Sequence, residues 1–115
     1  MYHKLNLRDL ILLIDKPNRF SCLKLFETHV EIIETAPGSL VKHQAWYGGY
    51  KDHLEETMNF AIQLFTLMEE RRLLPFTISD VLTILFLHDI EKPFKYTSKK
   101  IKLETEEQKW IFLEK

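Results

Sequence analysis

The sequence predicts an all-α fold, a single compact bundle of about five helices formed by residues 1–115 as one domain. Three observations carry this. Apolar residues recur at helical spacing through most of the chain, and few windows alternate with period two. Only three glycines and four prolines punctuate the chain, which leaves little turn chemistry for a sheet. At 115 residues, 45% of them hydrophobic, the chain has enough apolar surface for one core and too little length for a second domain.

The elements follow in order. Leu7, Leu10, Ile11 and Ile14 predict a short helix over residues 5–14. Asp15-Lys16-Pro17-Asn18 breaks it, with Asn18 as N-cap of a second helix over residues 19–35. Phe20, Leu23, Phe26, Val30 and Ile33 line the inner face of that helix, and Lys24, Glu27, Glu31 and Glu34 the outer one. Ala36-Pro37-Gly38-Ser39 stops it. A connector over residues 40–49 carries His43, Trp46 and Tyr47 and ends in Gly48-Gly49. The third helix, residues 50–72, buries Leu54, Met58, Ala61, Ile62, Phe65 and Met68, and Arg71-Arg72 complement its dipole. Thr77 or Ser79 caps a fourth helix over residues 80–89, apolar nearly all round and therefore expected at the centre of the core. Pro93 closes it. Thr105 caps a last helix holding Trp110, Ile111 and Leu113.

Charge narrows the function classes. A formal net charge of −1 with 29% charged residues names neither a polyanion nor a membrane surface as a bulk partner. Lys99-Lys100 and Lys102 read as solvated surface, and His3 and His29 as exposed residues without a motif. The lone cysteine, Cys22, rules out an internal disulfide and reads as a small packed hydrophobe. No leader pattern opens the sequence and no apolar run approaches the roughly 20 residues of a membrane span. The expectation is a soluble cytoplasmic protein with no membrane partner.

One feature carries chemistry. His88-Asp89 follows the apolar run Val81-Leu82-Thr83-Ile84-Leu85-Phe86-Leu87. Leaving either polar group unpaired in an apolar setting costs several kcal/mol. A divalent ion removes that cost, because imidazole nitrogen and carboxylate oxygen are both first-row metal ligands. The competing reading is a helix C-terminus, with the histidine capping carbonyls and the aspartate bonded to the next turn. His53 and His43 upstream are the other candidate donors, and each alone reads equally as a surface histidine. Trp46 and Tyr47 are suited to stacking a nucleobase or to anchoring their loop.

These residues carry a resemblance to a family. The strings Ala36-Pro37, His43-Gln44-Ala45-Trp46-Tyr47-Gly48-Gly49-Tyr50-Lys51-Asp52-His53 and Leu87-His88-Asp89-Ile90-Glu91-Lys92-Pro93 resemble the HD superfamily of metal-dependent phosphohydrolases. These are all-α proteins named for a metal-binding His-Asp pair. The resemblance covers about half the chain, residues 36–93. It implies that His53, His88 and Asp89 hold a divalent ion (manganese, iron, magnesium, zinc and nickel all remain open). It also implies that Lys92 and His43 act at the phosphate as catalytic or substrate-binding groups. The reaction implied is cleavage of a phosphoester of a nucleotide or nucleic acid, with Trp46 as a further substrate contact.

There are two departures. The family has glycine where this chain has Glu91, and its downstream aspartate ligand has no counterpart, since no aspartate follows Asp89. The expectation is therefore a domain that stops short at its C-terminal end or has lost its last ligand. The alternative function is a non-catalytic HD-like module that binds metal or nucleotide in a regulatory or assembly role. Substrate and oligomeric state stay open at this stage.

Overall fold

The computed structural model describes residues 4–39, 45–102 and 108–114. The helical class expected from the sequence is what the chain forms: α1 (Leu7–Ile11), α2 (Asn18–Thr28), α3 (Val30–Thr35), α4 (Gly49–Glu69), α5 (Ile78–Leu87) and the single turn α6 (Lys92–Lys95). One departure follows them, an antiparallel strand pair, β1 (Tyr96–Lys102) and β2 (Gln108–Glu114). The chain divides into two compact units, one of Met1–Thr28 with Leu54–Asp89 and one of His29–His53 with Ile90–Lys115.

In the first unit α1 packs on α2 and α5, and α2 on α5. Asn6 caps α1 by accepting from the Asp9 N–H at 2.9 Å. Leu7, Leu10, Ile11 and Ile14 are buried as their spacing requires. The chain ahead of α1 is held by two polar side chains of α4. Asn59 Oδ1 accepts from Leu5 N at 2.8 Å, and its Nδ2 donates to the Leu5 carbonyl at 2.8 Å and to the Glu55 carbonyl at 2.7 Å. Glu55 Oε2 accepts from Leu7 N at 2.7 Å. Both side chains are buried beside Leu54 and Met58, which are buried as expected, whereas Ala61, Ile62 and Phe65 of the expected stripe are half-buried and Met68 is 39% exposed. An exposed ion pair, Arg8 to Glu27 at 3.0 Å, contributes at most about 1 kcal/mol.

The helix expected over residues 19–35 is two helices. His29 interrupts it at φ −120°, ψ 26°. Cys22 and Phe26, one turn apart, are the buried residues of α2, while Phe20 is 72% exposed and Val30 is also exposed. Asn18 is the first residue of α2 rather than its cap. The Arg19 N–H reaches back to the Asp15 carbonyl instead. Burial pushes the Cys22 thiol above its ordinary 9.0.

Helix α5 starts with a complete capping box. Thr77 accepts from the Asp80 N–H and the Asp80 carboxylate accepts from the Thr77 N–H. Ser79, the other candidate cap, is buried, and its hydroxyl accepts from Asp15 N at 2.8 Å. The expectation that α5 is buried all round is corrected. Leu82 and Phe86 are fully buried, but Ile84 is 66% exposed and Leu87 is exposed as well.

In the second unit α3 packs on α6 and β1, and α6 on β1. Helix α3 ends at Thr35 because Ala36 precedes Pro37 and takes extended backbone, ψ 144°. His29, expected to be an exposed residue, is half-buried with its ring edge-on to Phe94 at 4.8 Å. Pro93 does not close the fourth helix. It lies in the first turn of α6, where its missing N–H costs nothing. The last helix expected around Trp110 is strand β2, with Trp110 opposite Lys100 and Ile111 opposite Lys99. Thr97, Ile101, Trp110, Ile111 and Phe112 are β-branched or aromatic, and that preference prevails once a partner strand is available. Thr105, the expected cap, lies outside the described residues.

Candidate functional site

His88 is the C-cap of α5, its backbone N–H bonded to the Ile84 carbonyl at 2.9 Å. Phe86 anchors the helix in the core, and two residues further along a helix is a rotation of about 200°. The His88 ring therefore emerges on the open side, 42% exposed. Its Nδ1 lies 2.7 Å from the Leu85 carbonyl. A carbonyl only accepts, so Nδ1 carries the hydrogen and a neutral ring presents the Nε2 lone pair outward.

That lone pair meets Asp89. His88 Nε2 and Asp89 Oδ2 are 3.1 Å apart. With the proton on Nδ1, both atoms are acceptors, and two acceptors in contact repel unless a cation joins them. A second proton on the ring satisfies the pair as an ion pair. A divalent ion satisfies it too, since first-row metal bonds to nitrogen and oxygen of about 2.0–2.2 Å fit two donors at this separation. The histidine bonds a helix-terminal carbonyl, as the helix C-terminus reading expects, and its Nε2 faces the carboxylate. The ring orientation is imposed from behind by the Leu85 carbonyl, the usual support of a ligating histidine.

The Gly48-Gly49 string has its own explanation in the second unit. Gly48 sits at φ +75°, and a Cβ there would lie 3.1 Å from the Glu34 carbonyl oxygen. Its N–H donates to the Thr35 carbonyl at 3.2 Å, and Tyr50 N donates to Ala36 at 3.0 Å. The glycines thus let the chain turn tightly against the end of α3 and enter α4. Trp46 is fixed beside them. Its indole N–H donates to Asp52 Oδ2 at 2.8 Å and its carbonyl accepts from Gly49 N at 2.8 Å, while the side chain stays 47% exposed. Nothing in the sequence pattern singles out Asp52 as that partner.

His53 lies in α4 within the same unit, half-buried, and Lys92 opens α6, also half-buried. Glu91 has right-handed helical backbone, φ −72° and ψ −21°. A side chain at this position is therefore unstrained. His43 lies outside the described residues. The structure brings together His88 with Asp89, and Trp46 with Asp52. Among the described residues no group of three or more His, Cys, Asp or Glu side chains is arranged to hold a metal ion. An open groove of about 340 Å³ in the first unit, lined by Phe20, Leu23, Lys24, Glu27 and Thr28, contains none of the expected site residues. No helix among the described residues is long and apolar enough to cross a membrane.

Comparison with family models, with curated proteins and with solved structures gives no significant match to this chain.

Proposed function

We propose that this chain is a metal-dependent phosphohydrolase of the HD type, cleaving a phosphoester of a nucleotide or nucleic acid. The observation that supports the reading is the 3.1 Å approach of His88 Nε2 to Asp89 Oδ2, with Nδ1 2.7 Å from the Leu85 carbonyl. His88 and Asp89 supply two donors. His53 is the third donor on the strength of the sequence resemblance alone. When bound, a divalent ion supplies Lewis acidity to a phosphoryl oxygen and to water. The chain's own groups do the rest. The Lys92 ammonium neutralises phosphate charge, the exposed Trp46 ring offers a surface for a base, and His43 is the candidate proton donor to the leaving group.

A second reading is favoured by a specific observation, the lack of a three-donor group among the described residues. In that reading the chain is a non-catalytic HD-like module that binds metal or nucleotide in a regulatory or assembly role, without turnover.

Elemental analysis of untagged protein prepared without chelator, alongside His88→Ala and Asp89→Ala, tests the site, and a turnover assay separates the two readings. The enzyme reading expects near-stoichiometric metal in the wild type, lost in both variants. It also expects turnover of a phosphodiester or nucleotide substrate that is lost with the metal. Metal bound without turnover of any such substrate leaves the second reading standing, and a metal-free wild type after incubation with manganese and with zinc sinks the enzyme reading.

A further inference from the structure

We propose that one face of the β1–β2 ribbon is a binding surface for single-stranded nucleic acid. Directly opposed residues of an antiparallel pair share a face, and the face alternates along each strand. The register, with Tyr96 opposite Glu114 and Lys100 opposite Trp110, therefore sorts the ribbon into two sets. One face takes every aromatic residue of the two strands, Tyr96, Trp110 and Phe112, together with Lys100 and Lys102. The other takes every aliphatic one, Ile101, Ile111 and Leu113, with Lys99 and Lys109. A two-stranded ribbon needs one face packed to be stable, and β1 packs on α3 and α6. The aliphatic set has the chemistry of a packed face. The aromatic set, interleaved with lysines, has that of a face kept for a partner.

Charge and spacing name the partner. The two strands hold Lys99, Lys100, Lys102 and Lys109 against one carboxylate, Glu114, which stands at the Tyr96 end, away from Lys100 and Lys102. Glu104, Glu106 and Glu107 of the connection lie outside the described residues, so this balance is of the strands alone. Phosphates are drawn to the lysine end. Positions 100 and 110 are directly opposed, about 5 Å apart, and position 112 follows 110 by about 7 Å along the strand. A base stacked on Trp110 therefore brings its phosphate to the lysine positions, and Phe112 takes a second base. An acidic peptide satisfies the lysines but brings no flat rings for the aromatic residues. In a duplex the base faces are already stacked on one another. An unpaired strand offers both groups at once. The surface is independent of the His88–Asp89 chemistry.

Fluorescence anisotropy of a labelled oligothymidylate titrated with the chain in EDTA tests the surface, and with metal removed its outcome does not depend on the metal site. The wild type is expected to bind, with affinity falling as salt rises. Two double variants remove equal charge from opposite faces. Lys100→Gln with Lys102→Gln is expected to weaken binding about tenfold and to flatten the log–log salt slope by about 1.4, at about 0.7 per phosphate contact on a single strand. Lys99→Gln with Lys109→Gln is expected to change affinity less than about twofold. Trp110→Thr, which keeps a strand-forming residue and removes the ring, is expected to weaken binding about tenfold with the salt slope unchanged. A wild type that does not bind overturns the proposal. So does an equal loss from the two lysine pairs, or binding that ignores Trp110→Thr, or a duplex bound as tightly as the single strand.

Discussion

The two halves of α4 invert each other's chemistry. From Tyr50 to Asn59 the helix buries Tyr50, Leu54 and Met58, and buries Glu55 and Asn59 with them. From Phe60 onward it exposes Phe60, Leu64, Leu67 and Met68. Polar groups are inside where they have work on a neighbouring backbone, and apolar groups are outside where the chain supplies no cover. Burial along one helix follows what stands opposite each turn, and residue type follows second. Asn59 is inside because the Leu5 N–H and carbonyl both need a partner.

The comparison can be broken from the buried half first. Met58→Ala should destabilise the fold by about 2–5 kcal/mol, through lost transfer energy plus the cavity left behind. A denaturant midpoint that hardly moves would mean this half is not core. Asn59→Ala comes next. It leaves the Leu5 N–H and carbonyl without their protein partner at a cost of about 2–3 kcal/mol, and hydrogen exchange at Leu5 should accelerate in step with the loss. Glu55→Ala removes only the acceptor for Leu7 N and should cost about 1–2 kcal/mol, again read from chemical denaturation. In the exposed half, Leu67→Gln should change monomer stability by less than about 0.5 kcal/mol. A loss as large as that at Met58 would erase the distinction between the halves.

Much of this was legible in the sequence, and the misses share a cause. The spacing of Leu7, Leu10, Ile11 and Ile14 found its core positions because a short amphipathic helix has one face to bury. Thr77, one of two candidate caps, and the stop at Ala36-Pro37 are local, and local signals read well. Helix periodicity failed wherever tertiary surroundings decided. It ran α2 and α3 together across His29, and it placed Ile84 in the core because α5 is apolar on every side. It also gave Trp110 and Ile111 to a helix, although they lie in a strand whose pairing partner begins at Tyr96. The site was half legible. Adjacency was enough to single out His88 and Asp89, whereas the Leu85 carbonyl that orients the ring and the Asp52 carboxylate that holds Trp46 are contacts that spacing alone does not reveal.

The proposed phosphohydrolase site requires His88 and Asp89 to hold a divalent ion through Nε2 and Oδ2. Calorimetric titration of manganese into chelator-stripped, dialysed protein, beside His88→Ala and Asp89→Ala, tests it most directly. A saturable site is expected in the wild type and its loss in both variants, with their thermal unfolding unchanged in the absence of metal. Binding of equal strength in all three proteins, or none in the wild type, contradicts it.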